Sequence, residues 1–246
     1  MSCVKYMFAV LTVSAFFVAS VVSASAATIS DGSFENDHVA TDDTTAGDLS
    51  TGPSWNMGNG NGYWNPTDTH FAGATDDPDG TMGSPTDGEQ VAYLLIQGAG
   101  ADRSSFQSIG TIDALTIYTV SFAYGHRADS AAQPFLDPNP NFSVNLESGA
   151  TILGGASFGT PLGVTGETAL SSPAVGTWNS ASFSFDSSDF AGLVGDDLTL
   201  RFSAGGEGMI LFANFVLTET VIPEPASVAL LGLGGLATIG RRRRRA

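Results

Sequence analysis

Apolar residues in the middle of this chain recur with a period of two, and this pattern constrains the fold more than any other feature. Between Leu115 and Tyr124 the apolar positions include Tyr118, Val120 and Phe122. A period of two places alternate side chains on opposite faces of a β-strand. Comparable segments are Gln90–Ile96, Asn141–Leu146, Trp178–Phe185, Leu198–Phe202 and Met209–Leu217. Because no window between the termini has a helical period, the sequence predicts an all-β antiparallel β-sandwich, or jelly roll.

The N-terminus has the organisation of a secretory signal peptide. Lys5 supplies a short positive region, and Met7 to Val22 is apolar. Ala24-Ser25-Ala26 then places small residues at the two positions that signal peptidase requires. We therefore expect residues 1–26 to be removed, and the working domain to span residues 27–220.

The C-terminus consists of three consecutive parts. Ile222 precedes Pro223, Glu224 and Pro225, and the two prolines disfavour a regular helix there. The apolar run Ala226–Ile239 follows, and the chain ends on Arg241, Arg242, Arg243, Arg244 and Arg245. Fourteen helical residues span roughly 21 Å, which is less than the ~30 Å hydrocarbon core of a bilayer. The arginines favour a short transmembrane helix nevertheless, because they stop transfer and their side chains can reach the cytoplasmic interface.

In this order, the three parts resemble the PEP-CTERM sorting domain of Gram-negative bacteria, over residues 221–246. The resemblance implies that an exosortase, a membrane transpeptidase-like enzyme, cuts the chain near Pro-Glu-Pro. It also implies passage through the inner membrane, followed by a location on the cell surface or outside the cell. Proteins with this domain are associated with extracellular polysaccharide. After processing, the protein would have no transmembrane span.

Charge and cysteine content exclude several functions. Between Ala27 and Gly240 only Arg103, Arg127 and Arg201 oppose all 25 acidic residues. Such a domain repels nucleic acid and anionic lipid and attracts divalent cations, although acidity is also a common means of solubility. The one cysteine, Cys3, lies in the signal peptide. The working domain therefore contains no disulfide and no thiol nucleophile.

Three short segments resemble the galactose-binding-like jelly rolls of many carbohydrate-binding modules. Gly32-Ser33-Phe34-Glu35 is similar to the opening strand of that family, Tyr118–Phe122 to a middle strand, and Phe212–Leu217 to the closing strand. Members that carry calcium hold it with a glutamate near the first strand and an aspartate in the last. The resemblance implies that role for Glu35, whereas Ala213 stands where the aspartate is often found.

Aromatic residues in Gly/Asn/Asp-rich segments are the candidate ligand-binding residues. Trp55, Tyr63 and Trp64, with Phe71, could be exposed and stack on sugar rings. Alternatively, they close the open edge of the sandwich as core residues. Arg127 follows a predicted strand and could hydrogen-bond a sugar hydroxyl or form a structural ion pair.

The acidic turn Asp76-Asp77-Pro78-Asp79-Gly80 is a candidate calcium site. Calcium prefers oxygen-rich loops, and Asp76, Asp77 and Asp79 could supply ligands. The turn is not an EF-hand, because Asp87 stands where the bidentate glutamate would be. The alternative is a solvated acidic turn without an ion.

Catalytic motifs are weak in this sequence. Gly155-Ala156-Ser157-Phe158-Gly159 matches the nucleophile elbow G-x-S-x-G, but no histidine follows Ser157 and no helix pattern follows either. Carboxylates could support a glycosidase, yet a lone sandwich of this size is more often a binding module. The sequence therefore predicts a non-catalytic polysaccharide-binding protein of the cell surface or matrix. The alternative is an acidic matrix protein that associates through divalent cations.

Processing at both ends gives the first testable prediction. We expect the protein isolated from its host to begin near Ala27 and to lack the tail Arg241–Arg245. Intact-mass measurement of the surface and extracellular fractions would test both cleavages. A surface-exposed product that retains the arginine tail would contradict the sorting interpretation.

Overall fold

Twelve β-strands and one 3₁₀-helical segment form the described part of the protein. The computed structural model describes residues 26–34, 45–47, 54–57, 61–64, 90–96, 102–127 and 141–223. The strands are β1 (Thr45–Gly47), β2 (Asn56–Met57), β3 (Asn61–Trp64), β4 (Val91–Ile96), β5 (Asp102–Thr111), β6 (Thr116–His126), β7 (Asn141–Ser148), β8 (Thr151–Phe158), β9 (Thr168–Ala169), β10 (Thr177–Asp186), β11 (Asp197–Gly205) and β12 (Gly208–Val221); the 3₁₀ segment is Ser187–Leu193.

The strands form two six-stranded sheets, which pack face to face as a β-sandwich. Sheet A has the order β1-β3-β4-β12-β6-β10, and sheet B has the order β2-β5-β11-β7-β8-β9. The strand pairs are antiparallel except for β8 and β9, which are parallel. The predicted all-β sandwich is confirmed, and each of the six segments with strand-like patterns forms a strand.

An aromatic cluster fills the space between the sheets. Phe34 and Trp55 lie 5.3 Å apart between ring centroids, and Trp55 is 5.2 Å from Phe202 in sheet B. From sheet A, Phe212 reaches within 5.0 Å of Phe202, and Phe215 within 5.5 Å of Trp55. Such tilted and edge-on pairs add to the large apolar area that each ring buries. The sandwich is therefore held together through its centre by rings from both sheets and from the N-terminal segment.

A β-bulge in β12 sets the direction of Phe215. The pairing of β12 with β6 shifts register between Ala213 and Val216, and Asn214 has a φ of +53°. Asparagine tolerates this left-handed conformation better than most residues. The extra residue reverses the alternation, so that Phe215 points into the core instead of out.

The N-terminal segment packs in the core but does not form the expected opening strand. Residues 30–34 are bends and turns, with Asp31 at φ +55° and Phe34 at φ +65°. The amide of Phe215 donates to the Gly32 carbonyl at 2.9 Å. A Cβ on Gly32 would lie 2.1 Å from the Phe215 carbonyl oxygen, so this close approach requires glycine. The expectation of a strand at residues 32–35 is wrong, because this segment turns to insert Phe34; residue 35 itself lies outside the described residues.

The buried position of Trp55 predicts a large loss of stability when its ring is removed. Its side chain is 1% exposed, and its Nε1 donates to the Asp31 carbonyl at 3.0 Å. Trp55→Ala should lower the free energy of unfolding by about 3–5 kcal/mol, because it removes a large buried ring. Chemical denaturation measures this change.

A matched alanine control is Val175→Ala, since Val175 is 48% exposed. We expect the control to shift stability by less than about 0.5 kcal/mol. A Trp55→Ala protein as stable as the control would contradict the core position of this ring.

Candidate functional site

The outer face of sheet A carries an apolar patch that the sandwich core does not use. In each strand of this sheet, one set of alternate side chains points into the core and the other set points away from sheet B. The outward residues from five strands nevertheless form a second buried cluster. We call this cluster the outer patch; it consists of Trp64, Val91, Tyr93, Leu95, Ala123, Trp178, Met209, Leu211 and Ala213.

One row of cross-strand neighbours crosses the patch. Tyr93 of β4 lies opposite Leu211 of β12, and Leu211 lies opposite Gly125 of β6. Gly125 in turn lies opposite Trp178 of β10. With strands about 4.8 Å apart, the two aromatic residues are about 14 Å apart along the row. The row therefore has an aromatic residue at each end and a small or aliphatic residue between them.

The patch ends abruptly in the middle of β12. Before the bulge, the outward residues Met209, Leu211 and Ala213 are buried. After it, Val216 is 45% exposed, and Thr218 and Thr220 are exposed as well. An antiparallel sheet in a two-layer sandwich normally presents polar residues to water on its outer face. The apolar part is thus a local feature at one end of the sheet, not a property of the whole face.

Two contacts fix the larger side chains of the patch. A Cβ on Gly125 would lie 2.7 Å from two atoms of the Trp178 ring, so the ring rests directly on the β6 backbone. The guanidinium carbon of Arg127 lies 4.1 Å from the centroid of the Trp64 ring. A cation over the face of a tryptophan is attracted by the ring quadrupole. Within the described structure, Tyr93 is the ionisable residue of the outer patch, and Arg127 is the ionisable residue beside it.

The outer face of sheet B is polar by contrast. Arg201 forms an ion pair with Glu147 at 2.7 Å and donates to Ser104 Oγ at 3.2 Å. The hydroxyls of Ser143 and Ser203 are hydrogen-bonded at 2.8 Å. This comparison identifies the apolar part of sheet A as the exceptional surface of the described sandwich.

A shallow cleft lies where β7 begins and β8 and β11 end. It has a volume of about 430 Å³, and its lining includes Asn141, Ser143, Thr160, Leu162 and Ser203. Hydroxyl and amide groups beside apolar atoms suit a polyol such as a sugar better than an extended apolar molecule.

The G-x-S-x-G motif lies within a strand, not at a strand–turn–helix junction. Ser157 belongs to β8, and its hydroxyl donates to Oε1 of Glu167. Glu167 also accepts from the backbone amides of Leu162 and Gly163, each at 2.9 Å. These hydrogen bonds, with that from Ser157 the strongest, hold the pKa of Glu167 below its ordinary value. A carboxylate with a lowered pKa is a poor general base, so this arrangement fixes the segment around residues 160–167.

The predicted ligand-binding residues divide into two groups. Trp55 and Tyr63 belong to the core between the sheets, which is the second of the two alternatives considered for them. Trp64 is also buried, but it lies on the outer patch with Arg127 over its ring. The structure therefore brings two of the four candidates together, in a cation–π contact that was not anticipated.

The predicted metal ligands Glu35, Asp76, Asp77 and Asp79 lie outside the described residues. Within the described part of the chain, no group of three or more His, Cys, Asp and Glu side chains could hold a metal ion. The calcium site remains a prediction. Pro223 is described and exposed, whereas Glu224, Pro225 and Arg241–Arg245 lie outside the described ranges.

The apolar run predicted as a C-terminal helix, Ala226–Ile239, also lies outside the described residues. Among the residues that are described, no helix is long and apolar enough to cross a membrane.

The sequence did not single out Tyr93, Gly125, Trp178, Met209 and Leu211, which form or support the outer patch. A signal was present in β12, since Met209–Leu217 is apolar on both faces. That pattern predicts a central strand, and β12 is central in sheet A. Both faces of such a strand are buried, and the sequence alone does not tell which buried residues belong to a second cluster.

Two families match this chain. The family described as HpiC1-like, HpiC1 cyclase, matches residues 25–214. The PEP-CTERM protein-sorting motif matches residues 221–245, which confirms the predicted sorting motif. The protein is therefore exported and sorted by an exosortase to the cell surface or the extracellular space. No curated protein matches the sequence.

Solved structures with the same fold include cyclases from Fischerella sp.. The apo form of a cyclase from Fischerella sp. has a TM-score of 0.57 at 16% identity, covering 82% of this chain and 98% of its own. A Stig cyclase, FisC from Fischerella sp. TAU, in complex with (3Z)-3-(1-methyl-2-pyrrolidinylidene)-3H-indole, has a TM-score of 0.57 at 15% identity, covering 80% and 98%. A carbohydrate-binding module in complex with β-1,4-galactotriose has a TM-score of 0.39 at 8% identity, covering 68% and 90%.

These matches correct one prediction. The expectation that the chain is not an enzyme is contradicted by the cyclase family match over residues 25–214. At 15–16% identity, the likeness to the Fischerella structures shows the fold alone.

The hydrogen bonds of Glu167 predict a pH-dependent contribution of its carboxylate to stability. At neutral pH, Glu167→Gln should destabilise the protein, because the amide nitrogen cannot accept the hydrogen bonds of a carboxylate. A lowered folded-state pKa contributes stability above the ordinary glutamate value of about 4.3, and that stability is lost as the pH falls through the lowered value. Thermal unfolding of both proteins from pH 7 to pH 3 should therefore show a difference that shrinks in acid.

Glu207→Gln provides the control, since Glu207 is exposed in the turn between β11 and β12. A constant difference between Glu167→Gln and the unmodified protein over this pH range would refute the role of the carboxylate.

Proposed function

Because this chain belongs to the HpiC1-like cyclase family, we propose that it is an exported cyclase-type enzyme that binds an apolar, aromatic small molecule at the outer patch. The observation that carries the proposal is the local burial of aromatic and aliphatic side chains on a face that the core does not need. The Fischerella cyclase with a bound 3H-indole compound supports the class of ligand.

The chemistry of the patch suits a ring closure. A cyclisation that develops positive charge in an otherwise apolar substrate must proceed where water cannot capture that charge. Aromatic rings stabilise nearby cations through their electron-rich faces. In this role, Tyr93 and Trp178 stabilise the positive charge. Met209, Leu211 and Ala213 exclude water.

Arg127 and Gly125 have supporting roles in this proposal. The guanidinium over the Trp64 ring holds that ring at one edge of the patch. The absence of a side chain at Gly125 lets Trp178 lie against the sheet. Both residues therefore position aromatic rings, and neither is assigned a proton-transfer step.

Binding of the 3H-indole compound seen in the Fischerella cyclase provides the test. Leu211→Phe adds a ring to the buried floor of the patch, whereas Val216→Phe adds the same ring to the exposed part of the same face and strand. We expect Leu211→Phe to weaken binding by about tenfold or more, since overpacking of such a site typically costs 1–3 kcal/mol. Val216→Phe should leave the affinity unchanged.

Calorimetric titration would measure binding, and a thermal melt of each variant would establish that it is folded. Equal affinities for the two folded variants would exclude the outer patch as the binding site. No binding by the unmodified, folded protein would exclude this class of ligand.

A second proposal concerns extracellular polysaccharide, which the sorting motif associates with this class of protein. The observation that favours it is the cleft of about 430 Å³ lined by Asn141, Ser143, Thr160 and Ser203. Retention on a glycan array that is lost on Ser203→Val, but kept in Leu211→Phe, would place a saccharide in the cleft. Loss of retention in Leu211→Phe alone would place the glycan on the outer patch instead.

A further inference from the structure

The segment that follows the expected signal-peptide cleavage site is built into the sandwich. The amide of Thr28 donates to the Ile109 carbonyl at 2.7 Å. Gln107 then holds Ser30 from both sides: its Oε1 accepts from the Ser30 amide and its Nε2 donates to the Ser30 carbonyl, each at 2.8 Å. Phe34 finally enters the aromatic core. These residues therefore belong to the folded domain and are not a loose leader.

Ala27 occupies a fitted socket at the start of this segment. Ala27 is only 8% exposed, whereas the preceding residue, Ala26, is exposed. A Cβ on Gly110 would lie 3.0 Å from the Ala27 Cα and 3.1 Å from its Cβ, so the two backbones pack closely. The socket suits a small residue at position 27 and glycine at position 110. The transition from exposed to buried thus falls at the expected cleavage site.

The backbone nitrogen of Ala27 faces a carboxylate. It donates to Oε1 of Glu219 in β12 at 2.7 Å, across 192 positions of sequence. The surroundings are negative: burial raises the pKa of the Tyr118 hydroxyl, and the carboxylates of Asp113 and Glu219 raise it further. A positive charge on the Ala27 nitrogen would be stabilised in these surroundings.

We propose that signal peptidase cuts the Ala26–Ala27 bond and that the new α-ammonium group of Ala27 forms an ion pair with Glu219, which fastens the mature N-terminus to β12. Hydrolysis leaves the oxygen of water on the Ala26 carboxylate and hydrogen on the Ala27 nitrogen, which is protonated at neutral pH. The hydrogen bond to Glu219 then becomes charge-assisted, and such bonds are the stronger ones.

The pair also connects the two processed ends of the protein. Glu219 lies four positions before Pro223, and the Ile222 amide donates to the Leu115 carbonyl at 2.7 Å. Cleavage at the N-terminus therefore strengthens the strand that leads directly to the sorting motif. This role is independent of the ligand proposed for the outer patch.

Four proteins test the proposal: the chain from Ala27 to Ala246, the same chain with one glycine added before Ala27, and Glu219→Gln in each. The added glycine leaves an amide at the Ala27 nitrogen and moves the charge away. We expect the chain that starts at Ala27 to melt about 2–4 °C above the extended chain, the shift typical of one ordinary interaction in a domain of this size. Glu219→Gln should remove most of that difference.

Glu207→Gln, at the opposite end of β12, should lower the melting temperature of neither chain. As a second readout, the α-amino group at Ala27 should react more slowly with an amine-acylating reagent when Glu219 is present than in Glu219→Gln. If Glu219→Gln shifts the two chains equally, or the reactivity does not change, the ion pair does not form. A secreted protein that begins elsewhere than Ala27 would overturn the assigned cleavage site.

Discussion

The bulge in β12 is the constraint on which the rest of the structure depends. Strand β12 runs through the centre of sheet A and pairs with β4 on one side and β6 on the other. Before the bulge both of its faces are buried, with Phe212 in the core and Leu211 on the outer patch. After it, Phe215 and Leu217 continue the core face while Val216 faces solvent. Because Asn214 adopts a left-handed conformation, β12 contacts both the core and the outer patch before the bulge, but only the core after it.

Which strands could be predicted from the sequence depends on whether polar residues or glycines occupy their inward positions. Strands with successive apolar residues on their inward positions, such as Tyr118 to Tyr124 in β6 and Phe142 to Leu146 in β7, were predicted correctly. Strand β5 was missed because Ser105 and Gln107 are among its inward residues, and Gln107 is buried there by hydrogen bonds to the N-terminal segment and Ser54. Strand β8 was missed because Gly154 and Gly155 interrupt its pattern; they let Phe185 and Leu162 approach the backbone. In both cases tertiary contacts, which no local pattern contains, replace the missing apolar side chain.

The outer patch could not be predicted from the sequence for a different reason. Its residues come from five strands, and each strand contributes only one to three of them. Trp64 was singled out for its Gly/Asn-rich surroundings, and Tyr93 was not, although both belong to the same cluster. Alternation tells which residues share a face, but the register between strands decides which residues meet across it. The row from Tyr93 to Trp178 exists only because β4, β12, β6 and β10 pair as they do.

The position of the outer patch along β12 separates it from the residues that lead to the sorting motif. Leu211 lies near the start of the strand, whereas Glu219 and the residues that lead to Pro223 lie at its end. Val221 lies ten positions after Leu211, which is about 33 Å along the strand. The N-terminal segment reaches the same end of β12, where Ala27 contacts Glu219. The Ala27 contact and the residues that lead to Pro223 therefore lie at the opposite end of β12 from the outer patch.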